Sequence, residues 1–348
     1  MLADIQRLLE FDFLRATEIA ALNCMQWIGK GDKEAADAAA TDAIRGMFDL
    51  MEIRGEISIG EGIKDNAPGL FKGERVGTWS PNAPRFDIAL DPVDGTTSVS
   101  RGLPNAISCI AAAMPENGDE PALQDIPAFY LQKLAYPPAV RKAWAEDPKL
   151  PISVEAPLEE VINITAKILG KKVRDVVVMT LDRPRNQPYI DEVRRIGASL
   201  RMTVDGDIAG ALAPALSESM IDLYCGIGGA PEGVLAAAAL RCLGGGMQAK
   251  IWPRDDAERK SLIESGWGDR LNATFRSRDL ARGNEILFAA TGISDSPFLK
   301  GVEVRGSTAV THSLLMRAKS GTVRYLRTLH NLEQKTIHLH SVEAEKMV

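Results

Sequence analysis

The densest chemistry in the chain is Asp91-Pro92-Val93-Asp94-Gly95-Thr96: two carboxylates three positions apart, then a glycine and a hydroxyl. Two ionised carboxylates held at 4 Å repel by about 4 kcal/mol at an effective dielectric near 20. A hard divalent cation with oxygen ligands is the usual remedy. Gly95 would let the backbone approach a ligand, and N–H groups at a helix start could hold a phosphate there. The competing reading is a turn whose Asp side chains cap the next helix. Four further clusters have a related make-up. Gly60-Glu61-Gly62 sets one carboxylate between glycines, and Asp182-Arg183-Pro184-Arg185 sets two guanidinium groups on a turn. Asp205-Gly206-Asp207 pairs two acids, and the run Gly226-Ile227-Gly228-Gly229-Ala230-Pro231-Glu232-Gly233 carries one acid among glycines. Each taken alone also reads as a solvated turn or a helix cap.

These residues need elements to position them. Phe86, Ile88 and Leu90 alternate with Asp87 and Ala89, which predicts a strand with one buried face, ending at Asp91 because Pro92 cannot continue a central strand. Ile57–Ile59 reads as a short strand feeding Gly60. Residues 8–28 read as a helix with Leu14, Ala21, Cys24 and Ile28 on one stripe. Asp32 is placed to cap a second helix running to Leu50, with Ala36, Ala40, Ala43, Met47 and Leu50 buried and Asp37 beside that face. Residues 106–114 read as a fully buried strand. The Pro-rich, polar stretch 115–157 reads as loops crossing into a second half, with Tyr130 a packed aromatic keeping a wet hydroxyl. Beyond it, strands at 173–181, 200–204, 221–225, 247–252 and 285–291 alternate with helices near 158–169, 188–196, 207–217, 231–243 and 255–265. That rhythm predicts a layered α/β sheet, and three of the polar clusters follow strand ends, where ligands bind in open α/β sheets. His330, His338 and His340 read as solvated.

The chain has 348 residues, 45% hydrophobic and 25% charged, with a net charge of -6. The length suggests two parts, taken as 1–150 and 151–348. No basic cluster of nucleic-acid type occurs, no apolar run reaches the length of a membrane span, and acidic residues interrupt the N-terminal stretch, so a cytoplasmic protein is expected. Four scattered cysteines read as buried thiols rather than a zinc or disulfide framework.

Gly60-Glu61-Gly62 with Asp65 and Ala67-Pro68, then the Asp91–Thr96 segment, Asp205-Gly206-Asp207 and the Gly226–Gly233 run resemble, in order and spacing, the class II (GlpX-like) fructose-1,6-bisphosphatases. The stretch Trp27–Asp37 and Ala289–Ile293 add to the likeness, which extends from about residue 10 to 340. This family is part of the metal-dependent, lithium-sensitive sugar and inositol phosphatases. The resemblance implies an αβαβα sandwich that hydrolyses the 1-phosphate of fructose 1,6-bisphosphate with Mg2+ or Mn2+. It places metal ligands at Asp37, Glu61, Asp91, Asp94 and Glu232. Substrate contacts fall at Asp94, Gly95, Thr96, Tyr130, Arg183, Pro184, Arg185, Asp205, Gly206, Asp207 and Gly229. The first half then carries most of the metal ligands, and the second the sugar-phosphate contacts and Glu232. In the implied reaction Thr96, Glu61 and Asp91 are the catalytic groups, Thr96 orienting the attacking water. Three departures, Asp94 and Ile63 where the family has Glu and Asn186 where it commonly has His, bear on metal number and substrate preference. The family habit implies a homo-oligomer, dimer or tetramer.

Sedoheptulose 1,7-bisphosphate is the alternative substrate, alone or alongside fructose bisphosphate, with inositol phosphates behind it. A non-catalytic sugar-phosphate sensor is a further alternative. A nucleotide-binding module, prompted by the glycine-rich run, lacks the phosphate-loop pattern and the dinucleotide glycine spacing.

Overall fold

Asp32 does what its position suggests: its carboxylate accepts a hydrogen bond from the Ala35 N–H at 2.9 Å and starts a helix. The computed structural model describes residues 5–61, 69–116, 120–340 and 345–346, so Gly62, Ile63, Asp65, Ala67 and Pro68 lie outside the described residues. The first elements are α1 (Ile5–Cys24), α2 (Lys33–Asp49), β1 (Arg54–Ile59), β2 (Arg75–Val76), β3 (Arg85–Asp94), α3 (Thr96–Arg101) and β4 (Ile107–Ala113). Next come β5 (Tyr130–Tyr136), α4 (Pro138–Glu146), α5 (Leu158–Leu169), β6 (Val177–Leu181), α6 (Gln187–Ile196) and β7 (Ser199–Thr203). They are followed by α7 (Asp207–Leu212), β8 (Leu223–Gly229), α8 (Ala230–Leu243), β9 (Gly246–Ile251), α9 (Asp256–Leu262), β10 (Thr274–Arg276) and α10 (Ser277–Leu280). The chain then adds β11 (Ile286–Gly292), β12 (Glu303–Arg305), β13 (Thr308–Arg317) and β14 (Thr322–Asn331).

The fold is mixed α/β, with two multi-stranded sheets and helices packed on them. It divides into two compact units, residues 1–124 with 282–348, and residues 125–281. This differs from the consecutive halves expected from length. The strand near 285–291, assigned to the second half, is β11 and pairs with β4 and β13 in the first unit's sheet.

That first sheet has eight strands in the order β12-β13-β11-β4-β3-β1-β2, with β14 on β13. Helices α1 and α2 lie on it through Phe13, Ala20, Ala36, Ala40, Ile44 and Phe48, against Phe86, Leu90, Ile110 and Leu287. Alanines on α2 let the two helices approach, and the Phe13 ring meets Phe48 and Phe86 edge-on at 6.3 and 5.6 Å. Leu50, expected in this core, is 61% exposed just past the helix end.

Two expectations about β3 are corrected. The strand does not stop at Asp91 but runs to Asp94, with a bulge against β4 between Asp91 (opposite Cys109) and Asp94 (opposite Ile107). Pro92 sits in the bulge, where no ladder donor is lost. The Val93 N–H turns to Asp91 Oδ1 at 3.0 Å. Both faces of β3 are also buried rather than one. Asp87, on the nominally polar face, accepts from the Ala122 N–H at 2.5 Å, and burial holds its carboxyl above the ordinary range.

The second sheet has six strands in the order β10-β9-β5-β8-β6-β7. Its central strand β5 and helix α4 fall in the stretch read as loops: Gln132 and Lys133 interrupt the apolar pattern of the strand, and the Pro137-Pro138 pair is a helix start, with Pro138 at the first position. Leu134, Val178 and Leu223 face α4, α5 and α6. Side chains alternate along a strand, so Lys133 points to the opposite face and reaches α7. At 173–181 the strand begins only at Val177, after a 3-10 turn, and 221–225 shifts and lengthens to Leu223–Gly229.

His330, expected in solvent, is buried. Its Nε2 lies 2.8 Å from Thr311 Oγ1, which in turn donates to Glu18 at 3.3 Å. Burial and the Lys335 charge push the imidazole down to about 4. Protonating it therefore costs the native state more than the unfolded chain, whose histidine titrates near 6.5. Urea unfolding should show stability constant above pH 7 and falling as pH drops from about 6.5 towards 4, with that slope reduced in His330→Asn. Separately, Phe13→Ala should cost about 3–5 kcal/mol in the same experiment, since it empties a site closed on all sides.

Candidate functional site

In the first unit, parallel strands deliver two of the expected carboxylates. The last registered pair of β1 and β3 is Ile59 with Ala89, and two residues further along each chain come Glu61 and Asp91. Glu61 is held by an N–H bond to the Leu70 carbonyl at 2.9 Å. Gly60 is required beside it, because a Cβ there would lie 2.0 Å from the Leu70 oxygen. Asp94 is almost fully buried at the end of β3. Gly95 then adopts φ 111° and caps α3 without a side chain, its missing Cβ leaving room for the Asn105 carbonyl. Thr96 opens the helix. Asp37 lies on α2, which packs against α3, and its charge joins burial in pushing the Cys24 thiol up to about 12.

In the second unit, β6, β7 and β8 end at one edge of the sheet, where β5, antiparallel to β8, begins. That edge gathers Tyr130, Arg183, Pro184, Arg185, Asp205, Gly206 and Gly229, with Glu232 in the first turn of α8. Tyr130 stands opposite Gly229 in the ladder. The Arg185 guanidinium lies 4.3 Å over the Tyr130 ring, and its Nε donates to the Ile227 carbonyl at 3.0 Å. Arg183 approaches Asp205 at 3.6 Å. Pro184 opens the short 3-10 turn that carries Arg185.

The glycine-rich run is a strand, not a loop, through Gly229. Each glycine is there because another side chain occupies the space of its Cβ. At Gly226 that space belongs to Thr180 Oγ1 and Asn186 Oδ1, at Gly228 to the Asp207 carboxylate, and at Gly229 to the Glu232 carboxylate. Asn186 is fully buried, accepting from the Ile227 N–H at 2.6 Å and donating to the Leu181 and Ile227 carbonyls. It ties the arginine turn to the glycine strand.

Asp207 differs from the expectation of a side chain open to ligand. It is buried, its Oδ2 accepting from Lys133 Nζ at 2.7 Å and its Oδ1 from the Tyr224 hydroxyl at 2.5 Å. Lys133 and Tyr224 were not singled out from the sequence, although a lysine amid Leu131, Leu134 and Ala135 is a signal once the stretch is seen as a strand. Glu232 has the opposite condition: its Oε2 is shut away from solvent with no hydrogen-bond partner. Burial raises the pKa of its carboxyl and the Asp207 and Asp205 charges add to that, while the Lys133 ammonium and a hydrogen bond from the residue's own backbone N–H oppose it.

Among the described residues, no three acidic, His or Cys side chains gather closely enough to hold one metal ion. The donor set is all carboxylate oxygen, which suits a hard cation rather than zinc or copper. The unpartnered Glu232 Oε2 fits such an ion, since an added positive charge would satisfy it. The four cysteines are buried. No described helix is long and apolar enough to cross a membrane.

Arginines, a tyrosine and carboxylates on one edge of a mixed α/β sheet are equipment for an anionic, hydroxyl-bearing ligand. A family model described as bacterial fructose-1,6-bisphosphatase, glpX-encoded, matches residues 7–330. A Haemophilus influenzae protein named fructose-1,6-bisphosphatase class 2 is 39% identical over 340 residues, covering 94% of this chain and 98% of its own. Fructose-1,6-bisphosphatase 1 class 2 of Escherichia coli K12 is 35% identical over 342 residues, covering 95% and 97% respectively. The chain belongs to the glpX-encoded, class II fructose-1,6-bisphosphatase family.

The glycine contacts give a paired prediction. Gly228→Ala puts a methyl 1.9 Å from Asp207 Oδ2, a short side chain pinned by two partners, and should cost stability, about 1–3 kcal/mol by thermal unfolding. Gly229→Ala puts a methyl 1.7 Å from Glu232 Oε2, the free end of a longer side chain. It should unfold near the wild-type temperature but lose phosphatase activity about 10- to 100-fold.

Proposed function

We propose that this protein hydrolyses the 1-phosphate of D-fructose 1,6-bisphosphate to fructose 6-phosphate and phosphate, using Mg2+ or Mn2+. The observation that carries the reading is the second-unit edge where Arg185, stacked on Tyr130, stands in the same row of strand ends as Arg183, Asp205 and Glu232. The groups that would hold divalent cations are Asp37, Glu61, Asp91 and Asp94 in the first unit and, taken by itself, Glu232 in the second. Bound there, such cations would supply Lewis-acid stabilisation of phosphoryl charge. Arg185 and Arg183 bind the phosphate that is not cleaved, Arg185 as a guanidinium already oriented by its ring and carbonyl contacts. Asp205 accepts hydrogen bonds from sugar hydroxyls, which favours a polyol over an aryl or acyl phosphate. For Asp207 the contribution is backbone placement with Gly206, since its carboxylate is taken up inside. The N–H groups of Gly95 and Thr96 steady the reacting phosphate. The Thr96 hydroxyl orients the water and helps take its proton; the water oxygen forms the new bond to phosphorus as the bond to the sugar O1 breaks, and the proton passes to that O1, with Glu61 and Asp91 acting through the cations they would hold.

We also propose that the chain works as a cytoplasmic homo-oligomer, dimer or tetramer. Scattered, buried cysteines suit a reducing compartment. Strand β14, at the sheet edge, leaves Val323, Tyr325 and Leu329 exposed, which is costly for an isolated chain. Light scattering behind size exclusion should return two or four times the 37.7 kDa chain mass, and a single-chain mass would contradict this.

The activity is tested by phosphate release from fructose 1,6-bisphosphate, sedoheptulose 1,7-bisphosphate and inositol 1-phosphate, each with Mg2+, Mn2+ or EDTA. Fructose 1,6-bisphosphate should have the highest kcat/KM, and EDTA should abolish release. Arg185→Ala should raise KM about ten- to a hundredfold, the worth of a lost charged hydrogen bond, with a smaller change in kcat. A preference for sedoheptulose bisphosphate would move the substrate assignment, and the absence of any release would leave a sensor.

A further inference from the structure

Lys133 is a buried charged group of this neighbourhood whose chemistry the proposed reaction does not use. It sits on the central strand of the second sheet with its side chain 0% exposed. Burying an ammonium costs several kcal/mol, and a well-packed apolar side chain of similar size is often as stable or more so. Stability alone is therefore a poor reason for a lysine here. Its contacts suggest another. The ammonium donates to Asp207 Oδ2 at 2.7 Å, and Tyr224 holds the other oxygen at 2.5 Å, so the carboxylate is fixed from two sides. Asp207 is the first residue of α7, directly after Gly206 in its left-handed conformation. Its Oδ2 fills the space beside Gly228, and the neighbouring glycine, Gly229, is packed against the carboxylate of Glu232. The lysine stem lies beneath the first turn of α8: a Cβ on Gly233 would stand 3.3 Å from Lys133 Cε. One side chain thus bonds to the start of α7 and takes up the space beside Gly233, in the turn that bears Glu232.

We propose that Lys133 is a positioning residue. Through Asp207 and the Gly228-Gly229 backbone it sets where Gly206 and Glu232 are presented, in the phosphate-ester hydrolysis proposed above, on which this inference rests. Tyr224 shares the task by fixing the second Asp207 oxygen. The Lys133–Asp207 pair gives the strand end and the two helix starts a single registration, so that the unpartnered Glu232 oxygen is held in one place rather than settling onto a nearby donor.

The test compares wild type with Lys133→Met, the charge-neutral pair Lys133→Met/Asp207→Asn, and Tyr224→Phe. Three readouts are taken: thermal unfolding, kcat and KM for fructose 1,6-bisphosphate, and calorimetric binding of Mn2+ alone to metal-free protein. Lys133→Met should lower kcat about 10- to 100-fold and weaken Mn2+ binding by a comparable factor. Weakening is the informative sign, because removal of a nearby positive charge by itself would tighten cation binding. The double variant, which leaves no unpaired buried charge, should unfold at a temperature no lower than Lys133→Met yet keep the kinetic and Mn2+ losses. If the pair served stability alone, the double variant would return to wild-type kcat and Mn2+ affinity, and the proposal would fall. If Lys133→Met does not fold, the double variant and Tyr224→Phe decide: each must weaken Mn2+ binding, Tyr224→Phe by less, and unchanged binding in both overturns it. A wild type that binds Mn2+ but releases no phosphate from any sugar bisphosphate contradicts the hydrolase reading instead, while the Mn2+ comparison still judges Lys133.

Discussion

A carboxylate out of water needs a counter-charge or a set of donors, and the way each buried acid meets that need organises this protein. Asp87 has a backbone N–H and keeps its proton more readily than a surface acid. Asp207 has an ammonium and a phenol, and is thereby committed to the interior. Glu232 has neither for its Oε2. A fold that satisfies Asp87 and Asp207 and leaves one Glu232 oxygen without a hydrogen-bond partner keeps a place for something positive. In a family of phosphatases the fitting occupant is a divalent cation.

Close approach is the second half of the design. The Asp207 and Glu232 carboxylates can lie against β8 only because positions 228 and 229 carry no Cβ, and the Asn186 amide can lock the arginine turn only because Gly226 makes room. The glycines therefore bring side chains to the strand and not phosphates to a loop. The arginine turn depends on the same strand twice, through the Arg185 bond to the Ile227 carbonyl and through the Asn186 amide. The arginines proposed to bind anion and the acid proposed to bind cation are thus referenced to one stretch of backbone.

Much of this was legible in the amino-acid sequence wherever the signal is local. The Asp32 cap, the α2 alanine face and Gly95 before a helix follow from short-range sterics and hydrogen bonding, and the structure has them. The order of the acidic clusters was enough to mark the family. What escaped depends on partners distant in sequence. Pro92 reads as a strand terminator until the β4 register supplies a bulge around it. Lys133 carries no role that can be read locally until Asp207, on another element, is seen to meet it. His330 reads as solvated until Thr311, itself bonded to Glu18, is seen to meet its Nε2. The return of the chain to the first sheet at β11 has no local marker, because a buried strand has the same pattern in whichever sheet it joins.

If the Glu232 oxygen is completed by a divalent cation, anomalous diffraction from crystals grown with Mn2+ and fructose 6-phosphate is the most direct measurement. A manganese peak should stand at direct-coordination distance from Glu232 Oε2. Well-ordered Mn2+ elsewhere in the molecule, with that oxygen bonded to a protein group or water alone, would contradict it.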